Sequence, residues 1–212
     1  MKSPRTAAIL RTTKEVQIRG RLNLDGTGAS KVDTGIRFLD HMLELFAKHG
    51  LLDLELHAVG DLDVDLHHTN EDLGLALGEA FRKALEDKRG ICRMGSAFVP
   101  MDESLARVRA VADLSGRPHF EWGWKAVKAQ SSFRRAQRGY PVRLSYDADD
   151  AKHFLESFAA KAEITLHVDV LKAGSDIHHI LEAVFKALGR ALREAVERDP
   201  RVKGVPSTKG KL

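Results

Sequence analysis

Hydrophobic and polar positions alternate along Val16–Leu24 and again along Ala106–Leu114, the two-residue period of a half-buried strand. Ile36, Leu39, Leu43 and Phe46 recur at helical spacing, and so do Phe154, Leu155 and Phe158. Short apolar runs at Leu52–Leu56 and Ile164–Val170 predict two more strands. Leu73, Leu77, Ala80, Phe81 and Ala84 outline a further helix face, mirrored by Val184, Leu188, Ala191 and Val196. Gly26, Gly50, Gly60 and Gly90 punctuate the boundaries. The same order, strand(s)–helix–strand–helix, therefore occurs twice.

Residue identity supports a duplication. His41-Met-Leu-Glu-Leu-Phe-Ala47 aligns with His153-Phe-Leu-Glu-Ser-Phe-Ala159 at an offset of 112. Asp65-Leu-His-His-Thr-Asn-Glu71 aligns with Asp176-Ile-His-His-Ile-Leu-Glu182 at 111, and Ala76–Arg82 follows Ala187–Arg193 at the same offset. Val16–Gly26 resembles Ala106–Gly116 at an offset of 90, so the second half carries about 22 extra residues between His119 and Asp150. Within it the polar, basic segment Ser131–Gly139 predicts a loop or extended hairpin. The expected fold is α/β (α+β), with two similar halves, 1–92 and 93–212. Each has a sheet with helices on one face, and the halves pack through those helices.

Composition narrows the function. With 43% hydrophobic and 30% charged residues, the chain has an ordinary globular balance. No apolar run is long enough to cross a bilayer, and Met1–Lys14 lacks a signal-peptide core, so a cytoplasmic protein is expected. The lone Cys92 excludes an internal disulfide and a thiolate-built zinc site. The net charge of +4 comes from the C-terminal end, where eight basic residues after Phe185 face three acidic ones. With only 6% aromatic residues there is little to stack on bases, which argues against nucleic acid.

Six of the ten histidines fall at equivalent places in the two halves: His41 with His153, His67 with His178, and His68 with His179. Glu71 and Glu182 complete eight candidate metal ligands. If each His-His-x-x-Glu opens a helix, His67 and Glu71 share a face, as do His178 and Glu182. His68 and His179 then lie about 100° around and point to a different metal. Spacing divides the eight into His41, His67, Glu71 and His179, and His153, His178, Glu182 and His68. Three imidazoles and a carboxylate without sulfur suit manganese(II), favoured here, or iron(II) or zinc. Asp65, Asp72 and Asp176 are candidates to orient the imidazoles or, equally, to serve as helix N-terminal charges. Asp61-Leu-Asp-Val-Asp65 mimics the start of a calcium loop, but Leu66 stands where glycine is required.

At these strings the chain resembles the imidazoleglycerol-phosphate dehydratases of histidine biosynthesis. The resemblance runs through Thr34–Leu43, Gly60-Asp-Leu, Asp65–Asp72, Ala76-Leu-Gly78, Pro100-Met-Asp-Glu103, Asp113–Pro118, Ile164–His167, His178–Ala183, Phe185–Leu188 and Pro206–Gly210. It implies a hydro-lyase that removes water from imidazole glycerol phosphate to give imidazole acetol phosphate. The ring serves as electron sink, as an imidazolate stabilised by metal. The resemblance further implies two manganese(II) ions per subunit on the eight ligands above, with metal sites at subunit interfaces. Self-association into trimers and a 24-subunit assembly is implied as well. By the same resemblance Glu15 is the candidate acid/base, and Arg93, Arg117, Lys186, Ser207 and Lys209 are candidates to hold the substrate.

The chain departs from the family pattern at Leu66, at Asn70, in the 119–150 stretch and at Asp147-Ala-Asp-Asp150. Without the resemblance, the residues indicate a dinuclear metal enzyme acting on a small phosphorylated molecule. A dinuclear metal hydrolase and a non-catalytic metal-binding assembly protein are the alternatives.

Overall fold

The computed structural model describes residues 4–102, 104–123, 146–174 and 176–212, with the backbone alone for 104–110. The first half comprises β1 (Thr6–Thr12), β2 (Val16–Asn23), β3 (Ser30–Asp33), α1 (Arg37–Gly50), β4 (Asp53–Gly60) and α2 (His67–Leu85). The second repeats the series as β5 (Met94–Met101), β6 (Ser104–Asp113), β7 (His119–Trp122), α3 (Ala148–Ala162), β8 (Thr165–Val170) and α4 (Ile177–Val196). The sheets have matching orders, β1-β2-β4-β3 and β5-β6-β8-β7. In each, the last two strands are parallel and joined through a helix, while the other pairs are antiparallel.

The alternation of β2 and β4 is realised as buried Val16, Ile18, Leu22, Leu54 and Leu56 on the face that meets the helices. Four strands were not specified individually by the pattern: β1, β3, β5 and β7. They flank the paired centres of the sheets, and β3 buries Val32 while β7 buries no residue fully. A short edge strand with one or no buried side chain carries no readable period. The 119–150 stretch is described at its two ends. Its first residues pair with β8, as β3 pairs with β4, and its last begin α3. The remainder, 124–145, which contains the expected loop or hairpin, lies outside the described residues.

The halves join through their helices in a crossed manner: α1 packs on α4, and α2 on α3. Phe158 of α3 meets Phe81 of α2 at 5.6 Å and Phe46 of α1 at 6.4 Å between ring centroids. Gly74 and Gly78 allow α2 to touch α3. A Cβ at Gly74 would lie 2.6 Å from the Phe154 carbonyl oxygen, and one at Gly78 would overlap that of Phe158. Gly189, the repeat counterpart of Gly78, does the same for α4 against α1, where a Cβ would lie 2.5 Å from the Phe46 oxygen.

Candidate metal centre

Both His-His-x-x-Glu segments open helices. Asp176 caps α4 by accepting the His178 N–H at 2.8 Å, and Asp65 accepts that of His67 at 3.2 Å. The i, i+4 spacing then stacks Glu182 on His178 and Glu71 on His67.

The crossed helix packing supplies the third member of each group. Around the first, His41 Nε2 of α1 lies 2.8 Å from Glu182 Oε1, and His178 Nε2 lies 3.0 Å from the same oxygen. Around the second, the ring of His153 on α3 stacks on His67 at 4.4 Å between centroids, with Glu71 Oε2 3.9 Å from His67 Nε2. In each triad the donor atoms all lie within 4.8 Å of one another.

This corrects the division expected from spacing. His41 joins His178 and Glu182 rather than His67 and Glu71, and His153 joins His67 and Glu71 rather than His178 and Glu182. The reason is the fold: α1 lies along α4, not along α2. His68 and His179 belong to neither triad. His68 Nδ1 is 3.0 Å from Asp61 Oδ2 and 3.9 Å from Glu15 Oε2, and His179 Nε2 is 4.0 Å from Asp102 Oδ2.

The donor sets fit a divalent cation. With metal–ligand bonds of about 2.1 Å, adjacent corners of an octahedron are about 3 Å apart. The spacings at Glu182 Oε1, 2.8 and 3.0 Å, match that edge. In the second triad, His153 Nδ1 is buried with no hydrogen-bond partner, a polar atom that a ligand would satisfy. Electrostatics favour an ionised carboxylate at the first triad. Partial burial pushes Glu182 upward, but hydrogen bonds from Lys186, His41 and His178 outweigh it and hold the carboxyl at about 2. Lys186 Nζ donates to Glu182 Oε2 at 2.6 Å and approaches Met101 Sδ at 3.3 Å. Its repeat counterpart is Leu75, so the triads differ in charge.

The contacts of Asp65, Asp72 and Asp176 favour their reading as helix N-terminal charges and ion-pair partners. Asp176 caps α4, Asp65 accepts the His67 backbone N–H just before α2, and Asp72 pairs with Arg11, with Nη2 and Oδ1 2.6 Å apart. The sequence departures also find structural partners. Asn70, almost fully buried, donates to the Asp150 carbonyl at 2.9 Å and accepts from the Tyr146 hydroxyl at 3.0 Å. Tyr146 stacks on Phe38, whose ring meets His178 edge-on at 5.2 Å. Asp147 and Asp150 form a capping box that starts α3 and so places His153. Leu66 is buried at the entrance to α2.

Of the substrate candidates, Arg93 is held by Asp113 at 2.6 and 3.0 Å and donates to the Pro206 carbonyl at 2.8 Å. That contact brings the segment of Ser207 and Lys209 to Arg93. The Arg93 carbonyl accepts from Leu114 N–H, three residues before Arg117. Lys186 stands apart, on the first triad. Glu15 is half-exposed at the β1–β2 turn. The Arg93 group and the triads occupy opposite ends of the molecule. The N-terminus of α2 carries a triad, while Lys88, just past its C-terminus, reaches the Leu114 carbonyl at 3.2 Å. The 19 residues of α2 span about 27 Å between the two. None of the helices among the described residues is long and apolar enough to cross a membrane.

Two repeat-related triads of imidazole and carboxylate on crossed helices define a candidate dinuclear metal protein built by internal duplication. A family model, imidazoleglycerol-phosphate dehydratase, matches residues 34–192. The chain is 50% identical over 213 residues to the imidazoleglycerol-phosphate dehydratase of a Janthinobacterium species, covering 100% of both chains. It is 51% identical to that of Geobacillus kaustophilus, covering 98% of this chain and 99% of the relative. Its fold is similar to the crystal structure of the Staphylococcus aureus enzyme, with TM-score 0.74, 31% identity, and 92% of this chain and 99% of that one covered. The Pyrococcus furiosus structure gives TM-score 0.75 at 33% identity, covering 96% and 99%. The chain belongs to the imidazoleglycerol-phosphate dehydratase family.

Proposed function

We propose that this chain removes water from imidazole glycerol phosphate to yield imidazole acetol phosphate, in the cytoplasm, using two manganese(II) ions per subunit. The observation that carries the reading is the pair of triads, His41–His178–Glu182 and His67–Glu71–His153. Family membership favours a hydro-lyase over a dinuclear hydrolase or a metal-binding assembly protein.

The hydrogen to be removed sits on a carbon with no adjacent carbonyl, so the substrate ring must take up the electron pair. Bound manganese would act as a Lewis acid on the ring without proton bookkeeping. The protein groups supply the rest. His41, His178 and Glu182 hold one ion, and His67, Glu71 and His153 hold the other. Glu15, beside His68, moves the proton as acid/base. Arg93, Arg117, Ser207 and Lys209 hold the phosphate through charge-assisted hydrogen bonds. Lys186, already on Glu182, meets the substrate at the metal end.

The distance between the two groups argues for assembly. A span of about 27 Å along α2 far exceeds a substrate of one ring, three carbons and a phosphate. The phosphate group of one copy therefore serves the metals of another. His68 and His179, which belong to neither triad, complete the coordination of neighbouring copies. This supports sites at subunit interfaces; trimers assembled into 24 subunits are the arrangement that family membership implies for them.

The test is an assay of manganese-loaded protein with product identification. Imidazole acetol phosphate must form, no inorganic phosphate must be released, and turnover must stop when metal is removed. Release of phosphate, or binding of metal with the substrate left intact, refutes the reading. Glu15→Gln is expected to keep its metal and lose most turnover; near-normal turnover removes Glu15 from the acid/base role.

A further inference from the structure

Asp61 touches an imidazole directly, and none of the roles above uses it. It follows β4 immediately, and two backbone bonds anchor it: its N–H donates to the Glu15 carbonyl at 3.1 Å, and its carbonyl accepts from Val64 at 2.8 Å. Its neighbour Gly60 lets the end of β4 press on the first turn of α2, since a Cβ at Gly60 would overlap the Thr69 side chain. That approach brings Asp61 Oδ2 to 3.0 Å from His68 Nδ1. An ionised carboxylate only accepts hydrogen bonds, so Nδ1 carries the proton. The lone pair then resides on Nε2, the nitrogen on the far side of the ring.

We propose that Asp61 is a positioning residue that sets the tautomer and ring orientation of His68, presenting Nε2 to a manganese ion. The inference rests on the reading of His68 as a ligand that completes a neighbour's site. A carboxylate behind a ligating imidazole fixes the ring and raises its basicity. Asp61 contacts His68 and so serves the site that His68 completes. At the repeat offset of 111 the matching residue is Lys172, which cannot accept from an imidazole N–H. Loss of Asp61 should therefore affect one of the two ions and spare the other.

The experiment titrates manganese(II) into the assembled full-length protein and counts free ion by its paramagnetic resonance signal. Asp61→Ala is expected to weaken one of the two ions about 10- to 100-fold. Asp61→Asn, which keeps an acceptor oxygen but loses the charge, should fall between that variant and the wild type. Asp63→Asn removes the same charge from an exposed position in the same loop and should bind both ions normally. His68→Ala tests the underlying reading and should weaken the same ion. If His68→Ala binds both ions normally, that reading fails and the inference with it. If His68→Ala loses an ion while Asp61→Ala binds both at wild-type affinity, the reading stands and the role of Asp61 is overturned. Melting and assembly size verify folding. Should Asp61→Ala fail to assemble, Asp61→Asn decides, and wild-type affinity in it overturns the proposal.

Discussion

Gly74→Ala separates the packing of α2 on α3 from the chemistry that this packing serves. An alanine methyl there would meet the Phe154 carbonyl oxygen at 2.6 Å, against about 3.4 Å for ordinary contact, so the backbones must part by the difference of 0.8 Å. Overpacking of this kind costs about 1–3 kcal/mol. Replacing a helical glycine returns about 1 kcal/mol in propensity, leaving a net loss of about 0–2 kcal/mol. For a chain of this length that lowers Tm by less than about 8 °C. The site is less tolerant. Phe154 follows His153, Gly74 lies one turn from Glu71, and a metal constellation must be held within about 0.5 Å. The ion on His67, Glu71 and His153 should weaken about 10- to 100-fold, as when an imidazole loses its orienting partner. The triad on α1 and α4 is an internal control within the same molecule. Manganese titration with the free ion counted, alongside melting and assembly size, reads both effects. Two ions at wild-type affinity in a correctly assembled Gly74→Ala would refute the reasoning, and so would equal loss of both.

Asn70→Ala strands the buried Tyr146 hydroxyl and should cost about 1–3 kcal/mol in denaturant unfolding. Adding Tyr146→Phe should recover part of that loss; strict additivity would show that the two side chains act independently. The hydrogen bond from Arg5 holds the Asp25 carboxyl below its ordinary value. Stability from such a depressed carboxyl is present in full above the ordinary value of 3.8 and fades as pH falls below it. Asp25→Asn should therefore melt below the wild type at pH 6, with the gap narrowing below pH 4; a constant gap would contradict the ion-pair account. Stripping metal with a chelator should lower Tm, and manganese at 100-fold excess over Kd should restore about 2.7 kcal/mol per ion. An unchanged Tm would count against metal binding to the folded state.

The central strands and all four helices were readable because burial imposes its period on the chain. Val16, Ile18 and Leu22 alternate in a sheet centre, and Leu73, Leu77 and Phe81 line one helix face. The short edge strand β3 was not, because Val32 alone is buried in it and four residues cannot establish a period, and β5 buries only the small Gly95 and Ala97 beside Val99, a weak apolar signal although the burial alternates. Asp61 escaped for a different reason. Its partner His68 lies seven residues away across a turn, and only the contact of β4 with α2 makes them neighbours. Asn70 stood out as a departure from the family, while its partners, Tyr146 and Asp150, are 76 and 80 residues distant.

Local order and duplication alone determined which side chains are available: two His-His-x-x-Glu helix starts, each with a histidine upstream, in two copies of one fold. Spacing along a helix settles which residues share a face, because i and i+4 are neighbours whatever surrounds them. Only tertiary structure decided which upstream histidine joins which motif. That choice depends on α1 crossing to α4 and α3 to α2, a contact made by buried phenylalanines and glycines far apart in the chain. Such packing minimises exposed apolar surface over the whole molecule, a quantity that no local pattern encodes.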